Sequence, residues 1–297
     1  MVSNTALIVL MTHQQRHMLR TFGGATYMDA TYRVVMYGLP FFLLVVVNAQ
    51  GHAYPAAMFM VETESTESIS EALALIHAMV PEWAPTLFFV DKSAAENAAI
   101  AAVFPHARIR LCDFHVKQAF QRWIVTKDNE VGDALQQGML YALFERVAHA
   151  ETLDQLNEAL EHLKESGFYT DNPMFRAYFD TEWEPCLEKW CAYYFTTVLT
   201  RGHRTNNHCE ALNKPIKGIL ACRPDLRIDS LVMMLLTTII ARYNNKHRKD
   251  QLKDLANSKV YKVLYDPMFK GLPRKVTLGF LILFYYYIFL LPYHISS

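Results

Sequence analysis

Cysteine is scarce in this chain: five residues in 297, at positions 112, 186, 191, 209 and 222. Their odd number and irregular spacing argue against a disulfide framework and point to a reducing compartment. Net charge is absent as well. Lys plus Arg number 29 and Asp plus Glu number 29, which excludes a uniformly basic coat for nucleic acid. The apolar run at residues 5–11 is too short for a secretory leader and has no basic flank before it. No internal repeat and no low-complexity linker breaks the sequence up. Its 297 residues suffice for one large domain or two small ones.

Apolar material, by contrast, is plentiful at 52%, enough for a substantial core. The charge is also unevenly placed. Between Arg201 and Lys249 ten Lys or Arg residues face three acids, a surplus of seven that the rest of the chain must balance. A protein that grips phosphate on one side only needs such polarity.

Residues 13–22 read as a short helix closed by Gly23 and Gly24. Three β-rich runs follow, Ala25–Val35, Leu39–Asn48 and Ala53–Glu62, the last two joined by turn chemistry at Asn48–Gly51. Residues 65–80 carry Ile69, Leu73, Ile76 and Val80 at helical spacing, and Pro81 and Pro85 stop them. Thr86–Val90 is a short buried strand. Ser93 with Glu96 predicts a capping box that opens an Ala-rich helix to about Val103. Arg108–Cys112 is a further strand. The order βββ-α-β-α-β predicts an α/β fold with a ribonuclease H-like core, a mixed five-stranded sheet flanked by helices. Residues 116–200 read as an all-helical insertion. Leu153, Leu156, Leu160 and Leu163 form one stripe there, and Trp183 and Trp190 mark a packed aromatic stretch. Leu231–Tyr243 is a last apolar helix before the basic string NNKHRK. The core spans 14–245, a basic extension 246–275, and an apolar tail 276–297.

Three acids stand in unlike settings. Asp29 is the polar residue of an apolar β-prone run, where a carboxylate is costly unless paired or metal-bound. Asp91 ends a buried strand, a place that equally suits a turn or cap residue. Glu210 lies in the polar segment RTNNHCEALNKPIK. Acids at strand ends can hold two hard divalent cations beside water and phosphate.

Four strings, in order, resemble the catalytic core of a Mutator-like element transposase: MDATY, PAAMFMVETEST, VDKSAAENAAIAAVFPHARIRLCDFHVKQAF and RTNNHCEALNKPIK. The resemblance covers about residues 14–245. It implies a DDE transposase, with metal-dependent cleavage and strand transfer at element ends. It also implies a two-metal Mg²⁺ or Mn²⁺ site, DNA partners (terminal repeats and target) and a nuclear location, and it is compatible with a homo-oligomer. By position, Asp29, Asp91 and Glu210 resemble the catalytic, metal-binding acids. Cys112 and His115 resemble its Cys-x-x-His signature. Asn206, four residues before Glu210, would orient that carboxylate or touch DNA. Lys214, Lys217, Lys246, Arg248 and Lys249 suit phosphate contacts. Zinc is not expected, since Cys112 and His115 are two ligands and a structural site takes four.

Departures from that family are equally plain. No Cys/His cluster precedes the core and no SWIM-type Cys-x-Cys, Cys-x-His finger follows it. Pro215 should kink or end the helix of Glu210. A domesticated, non-catalytic DNA-binding or regulatory protein of the same fold is the alternative. Residues 276–293 carry no charge and meet the minimum length of a membrane span. A mis-joined gene end would give the same string, so a membrane enters only if that tail is genuine.

Overall fold

The computed structural model of the chain describes residues 6–31, 38–197, 209, 212, 214, 215 and 227–257. The chain divides into two compact units, Met1–Asn244 and Asn245–Ser297. The first holds one mixed sheet in the order β1-β4-β3-β2-β5-β6. Its strands are β1 (Leu7–Leu10), β2 (Ala25–Thr31), β3 (Phe41–Val47), β4 (Ala53–Val61), β5 (Leu87–Val90) and β6 (Arg108–Leu111).

The fold is ribonuclease H-like, with six strands rather than the expected five. The addition is β1, drawn from the short apolar run at residues 5–11. Leu7 to Leu10 pair antiparallel with Val61 to Met58 and so cover an edge that β4 would otherwise present. Four uniformly apolar residues show neither alternation nor a turn signal, so nothing local marks them as a strand.

The sheet is buried on both sides. Phe42, Leu44 and Val46 of β3 enter one core with Ile69, Leu73 and Ile76 of helix α2 (Thr66–Met79) and Ile100 of helix α3 (Ala94–Val103). Phe41, Leu43, Val45 and Val47 enter a second core with Cys209, Leu212, Leu231, Leu235 and Ile239. Strict alternation along an all-apolar strand needs a cover on each face, and each fully buried Phe or Leu contributes about 1.5–3 kcal/mol. The β3–β4 hairpin turns on Asn48, whose Oδ1 accepts from the amides of Gln50 and His52 at 3.1 and 2.9 Å. Gly51 there holds φ at +78°, a conformation that disfavours any side chain.

Helix α1 (His13–Phe22) opens with a capping box between Thr12 and Gln15 and ends at Gly23. The segment expected as an insertion is mainly helical over its described residues. It runs through α4 (Asp113–Val125), α5 (Ala134–His149), α6 (Leu153–Glu165) and short helical turns to Phe195. Its core is aromatic, with Phe144 stacked on Phe120 at 3.7 Å and on Trp190 at 4.7 Å. Of the leucine stripe, Leu156 and Leu163 are buried, whereas Leu153 stays 50% exposed. As the first residue of α6 its side chain leans back past the helix end, where no preceding turn shelters it. Lys92, just after β5, ties the insertion to the sheet through Glu182 at 2.6 Å.

The last apolar helix starts at Ile228, earlier than expected, widens to a π-turn over Leu235–Ile240 and continues as Ala241–Asn257. The basic NNKHRK string is therefore helical. Among the described residues no helix is long and apolar enough to cross a membrane. The tail 276–297 lies outside the described residues.

Candidate active site

Strands β2 and β5 lie side by side in parallel, with Ala25 opposite Leu87, Thr26 opposite Phe88 and Tyr27 opposite Phe89. The offset is 62 at every pair, and Asp29 and Asp91 differ by the same 62. Continued two residues, this register sets the two acids level. Alternation then gives them the face of Tyr27 and Phe89, whose rings stack 4.5 Å apart. Asp29 is buried, while the Asp91 side chain is 32% exposed. A crevice beyond the carboxyl ends of parallel strands is where open α/β sheets place their ligands.

Cys112 and His115 reach the same place from β6. The Cys112 amide donates to the Val90 carbonyl at 2.9 Å, which extends the β5–β6 pairing and buries the thiol beside Asp91. Helix α4 begins at the next residue, and its first turn brings His115 Nδ1 to 2.6 Å from Asp91 Oδ1. The ligating atoms of Asp91, Cys112 and His115 all lie within 4.8 Å of one another. The motif spacing offered two donors; the third comes from a neighbouring strand and is visible only in the fold.

The bond to Asp91 is the main cause that raises His115 from its ordinary 6.5 to about 10, with the bond to Cys112 second and burial opposing. A raised histidine contributes stability that is complete below 6.5 and lost as pH climbs through the folded value. His115→Ala should therefore lower the melting temperature of metal-free protein at pH 6, with a deficit that shrinks steadily towards pH 10. A deficit that does not change across that range would show that the imidazole acts by packing and not by charge.

Two acids escaped the sequence reading as site residues. Ser93 caps α3, accepting from the Glu96 amide at 3.4 Å, but the reciprocal half of the expected capping box does not form. The Ser93 amide is already bonded to the Asp91 carbonyl at 2.9 Å, and the Glu96 side chain turns inward to 2% exposure. Burial pushes the Glu96 carboxyl well above the usual range, and the charges of Asp91, Glu64 and Asp29 push it further. Glu64 accepts from the Ser93 hydroxyl at 3.2 Å. The one available signal was an acid just past each of two strands, Glu64 after β4 and Asp91 after β5, with Asp29 inside β2.

Glu210, Asn206 and Lys217 lie outside the described residues. Cys209, directly before Glu210, is fully buried. Its thiol is raised well above its ordinary value by burial, then by Asp29, Asp91, Cys112 and Glu96. Lys214 is exposed, and the backbone stays helical at Lys214 and Pro215, so the proline does not end the helix before itself. Lys246, Arg248 and Lys249 are exposed on the helix Ala241–Asn257, in the second unit.

Oxygen donors from Asp29 and Asp91, with Glu64 and Glu96 adding negative charge, fit a hard divalent cation. Cys112 and His115 add sulfur and nitrogen, donors that suit a more borderline metal.

These residues define a protein of the ribonuclease H-like fold with a candidate metal centre at the strand ends. The sequence of residues 2–110 matches the family model of the RNaseH-like domain of zinc finger SWIM domain-containing protein 1/3. That match covers Asp29, Asp91 and Glu96 and stops short of Cys112. It supports the fold, one commonly used for nuclease and strand-transfer chemistry on nucleic acid with divalent metals, and is broader than the Mutator-like resemblance. No curated protein matches the chain closely enough to count as a relative.

Proposed function

We propose that the chain carries the catalytic core of a DDE-type transposase of the Mutator-like kind. It would cut DNA strands at element ends and join the freed 3′-hydroxyl to target DNA, within the nucleus. The observation that carries this reading is the placement of Asp29 level with Asp91 on adjacent parallel strands, with Cys209, the neighbour of Glu210, buried where the charges of both raise its thiol.

Asp29, Asp91 and Glu210 would hold Mg²⁺ or Mn²⁺. When bound, such cations supply an activated water or hydroxyl and stabilise the leaving oxygen. Asp29 is fixed in mid-strand and holds its carboxylate with little freedom. Asp91 begins the loop to α3 and can adjust. His115 stands beside Asp91 and can donate to a phosphate oxygen there. Lys214 faces solvent and suits a backbone phosphate.

The test is nicking of supercoiled plasmid, and joining of a labelled 3′-end to it, by the purified full chain with Mg²⁺ or Mn²⁺. Cleavage that chelator abolishes is the expected result. Binding without cleavage would instead support a domesticated, non-catalytic DNA-binding protein. One observation favours that second reading: His115 already occupies Asp91 at 2.6 Å.

DNA affinity should rest partly on the basic helix in the second unit. Reversing three charges, Lys246→Glu, Arg248→Glu and Lys249→Glu, should weaken non-specific binding. It should also reduce the slope of log K against log salt by about 3, since each lost phosphate contact removes about 0.9. Fluorescence anisotropy across a salt series measures this. An unchanged slope would remove these residues from the interface.

A further inference from the structure

We infer that Asp91, Cys112 and His115 form a site for a borderline divalent ion of the zinc kind, held by three protein ligands with a fourth position open to water or a substrate oxygen. This goes beyond the reading above. It shares Asp91 with the Mg²⁺ or Mn²⁺ centre proposed there, but it draws on nitrogen and sulfur donors that such hard ions do not seek.

Three elements deliver the donors. Asp91 follows β5, Cys112 follows β6, and His115 lies in the first turn of α4. One ligand atom from each lies within 4.8 Å of the other two, and His115 Nδ1 is 2.6 Å from Asp91 Oδ1. Bonds of about 2.0–2.3 Å at tetrahedral angles set the ligands of a zinc ion about 3.3–3.7 Å apart. Small side-chain rotations bridge the difference: Asp91 and His115 part to admit an ion, and no donor has far to travel. Spacing in the sequence offered two donors, too few for a zinc site. The fold supplies the third, and three protein ligands with an open position are the set that non-structural zinc sites use.

The backbone around the donors is braced. Cys112 occupies the N-cap of α4, where a side chain ordinarily accepts from a helix amide. Its thiol makes no such bond and is hydrogen-bonded to His115 instead. As a cap or a hydrogen-bond partner a thiol is inferior to a hydroxyl; its advantage here is as a ligand for borderline metals. Asp113, the next residue, pairs with buried Arg110 of β6 at 3.2 Å and so fixes the turn between Cys112 and His115. The Cys112 amide is held by the carbonyl of Val90, the residue before Asp91, at 2.9 Å. Little ordering is left to be done when an ion binds. Access suits the same purpose. The thiol is buried, whereas the Asp91 and His115 side chains are 32% and 28% exposed, so an ion enters from solvent and keeps its open position towards it.

The test uses the full chain, with Zn²⁺ and Co²⁺ as probes and no DNA. Competition against a chromophoric chelator should reveal a tight Zn²⁺ site in wild type. Cys112→Ser, His115→Gln and Asp91→Asn should each weaken it at least about a hundredfold, since each removes a direct ligand. Co²⁺ in the same place should show the near-ultraviolet charge-transfer band of a cobalt–thiolate bond. That band should vanish in Cys112→Ser and persist in Cys186→Ser, which removes a half-buried thiol outside the site.

Wild-type protein that binds no Zn²⁺ overturns the inference, as does a charge-transfer band that survives Cys112→Ser. Wild-type Zn²⁺ affinity in any of the three ligand variants overturns it too. Should the variants not fold, X-ray absorption on the wild-type zinc protein decides. One sulfur at about 2.3 Å among nitrogen and oxygen ligands is expected, and a shell with no sulfur or with more than one refutes the site. None of these failures touches the two-cation reading, which Mg²⁺- or Mn²⁺-dependent cleavage measures and which has no place for Cys112.

Discussion

Asp91→Asn should abolish Mg²⁺- or Mn²⁺-dependent DNA cleavage, lowering its rate by at least about a thousandfold, equivalent to about 4 kcal/mol of lost transition-state stabilisation. The substitution keeps the shape of the side chain and removes the charge that draws a cation. Its backbone contribution, the carbonyl that accepts from Ser93, is untouched, so α3 should start where it does now. The change also removes the ionic partner of His115. His115→Gln, which breaks the same pair and leaves Asp91 charged, separates the two effects. Plasmid-nicking rates with circular dichroism on both variants are the measurement. A folded Asp91→Asn protein that cuts at the wild-type rate would exclude Asp91 from the metal centre.

Trp83→Ala should destabilise the first unit by about 3–5 kcal/mol, among the larger effects available to a single core substitution. The indole is 1% exposed and packs edge-on against Phe104 at 4.7 Å and Phe88 at 6.0 Å. Its Nε1–H donates to the Gly23 carbonyl at 3.1 Å, an acceptor the Thr26 hydroxyl also serves at 2.9 Å, so the loss on removal is chiefly one of packing. The backbone of Gly23 lies so near that an added Cβ would fall 2.5 Å from Trp83 Cδ1. Trp83 is thus the piece that fixes the α1–β2 turn against β5, and β2 carries Asp29. Urea unfolding of the full chain should show the loss as a lower midpoint, and Mn²⁺ affinity should fall with it as β2 loosens. A loss below 1 kcal/mol would mean that the cavity collapses and that Trp83 does not hold the sheet.

The sequence carried the architecture well because its elements are locally marked. The Asn48–Gly51 turn, the Ser93 cap, the prolines after α2 and the short apolar strands each act within a few residues. Element existence and order, and with them the ribonuclease H-like class, follow from such local chemistry. Strand β1 escaped because it exists through its ladder to β4, a partner some fifty residues away. The same division runs through the site. The spacing of Cys112 and His115 showed two donors, and only the parallel alignment of β5 with β6 supplied the third in Asp91.

Glu96 shows most plainly where reading by position stops. In the sequence it is a capping residue, since Ser-x-x-Glu before an apolar helix carries that chemistry. In the fold its partner amide is occupied, and the carboxylate is committed to the interior. The sequence by itself determined most of the helices and strands, and that Asp29 lies within one strand and Asp91 at the end of another. These depend on backbone preferences and on hydrophobic period, both local quantities. The tertiary structure alone decided that Asp29 and Asp91 are level, that His115 meets Asp91, and that the Glu96 side chain turns inward. Those are facts of register and burial between segments far apart in the chain, and the energies that fix them come from packing, which no local pattern records.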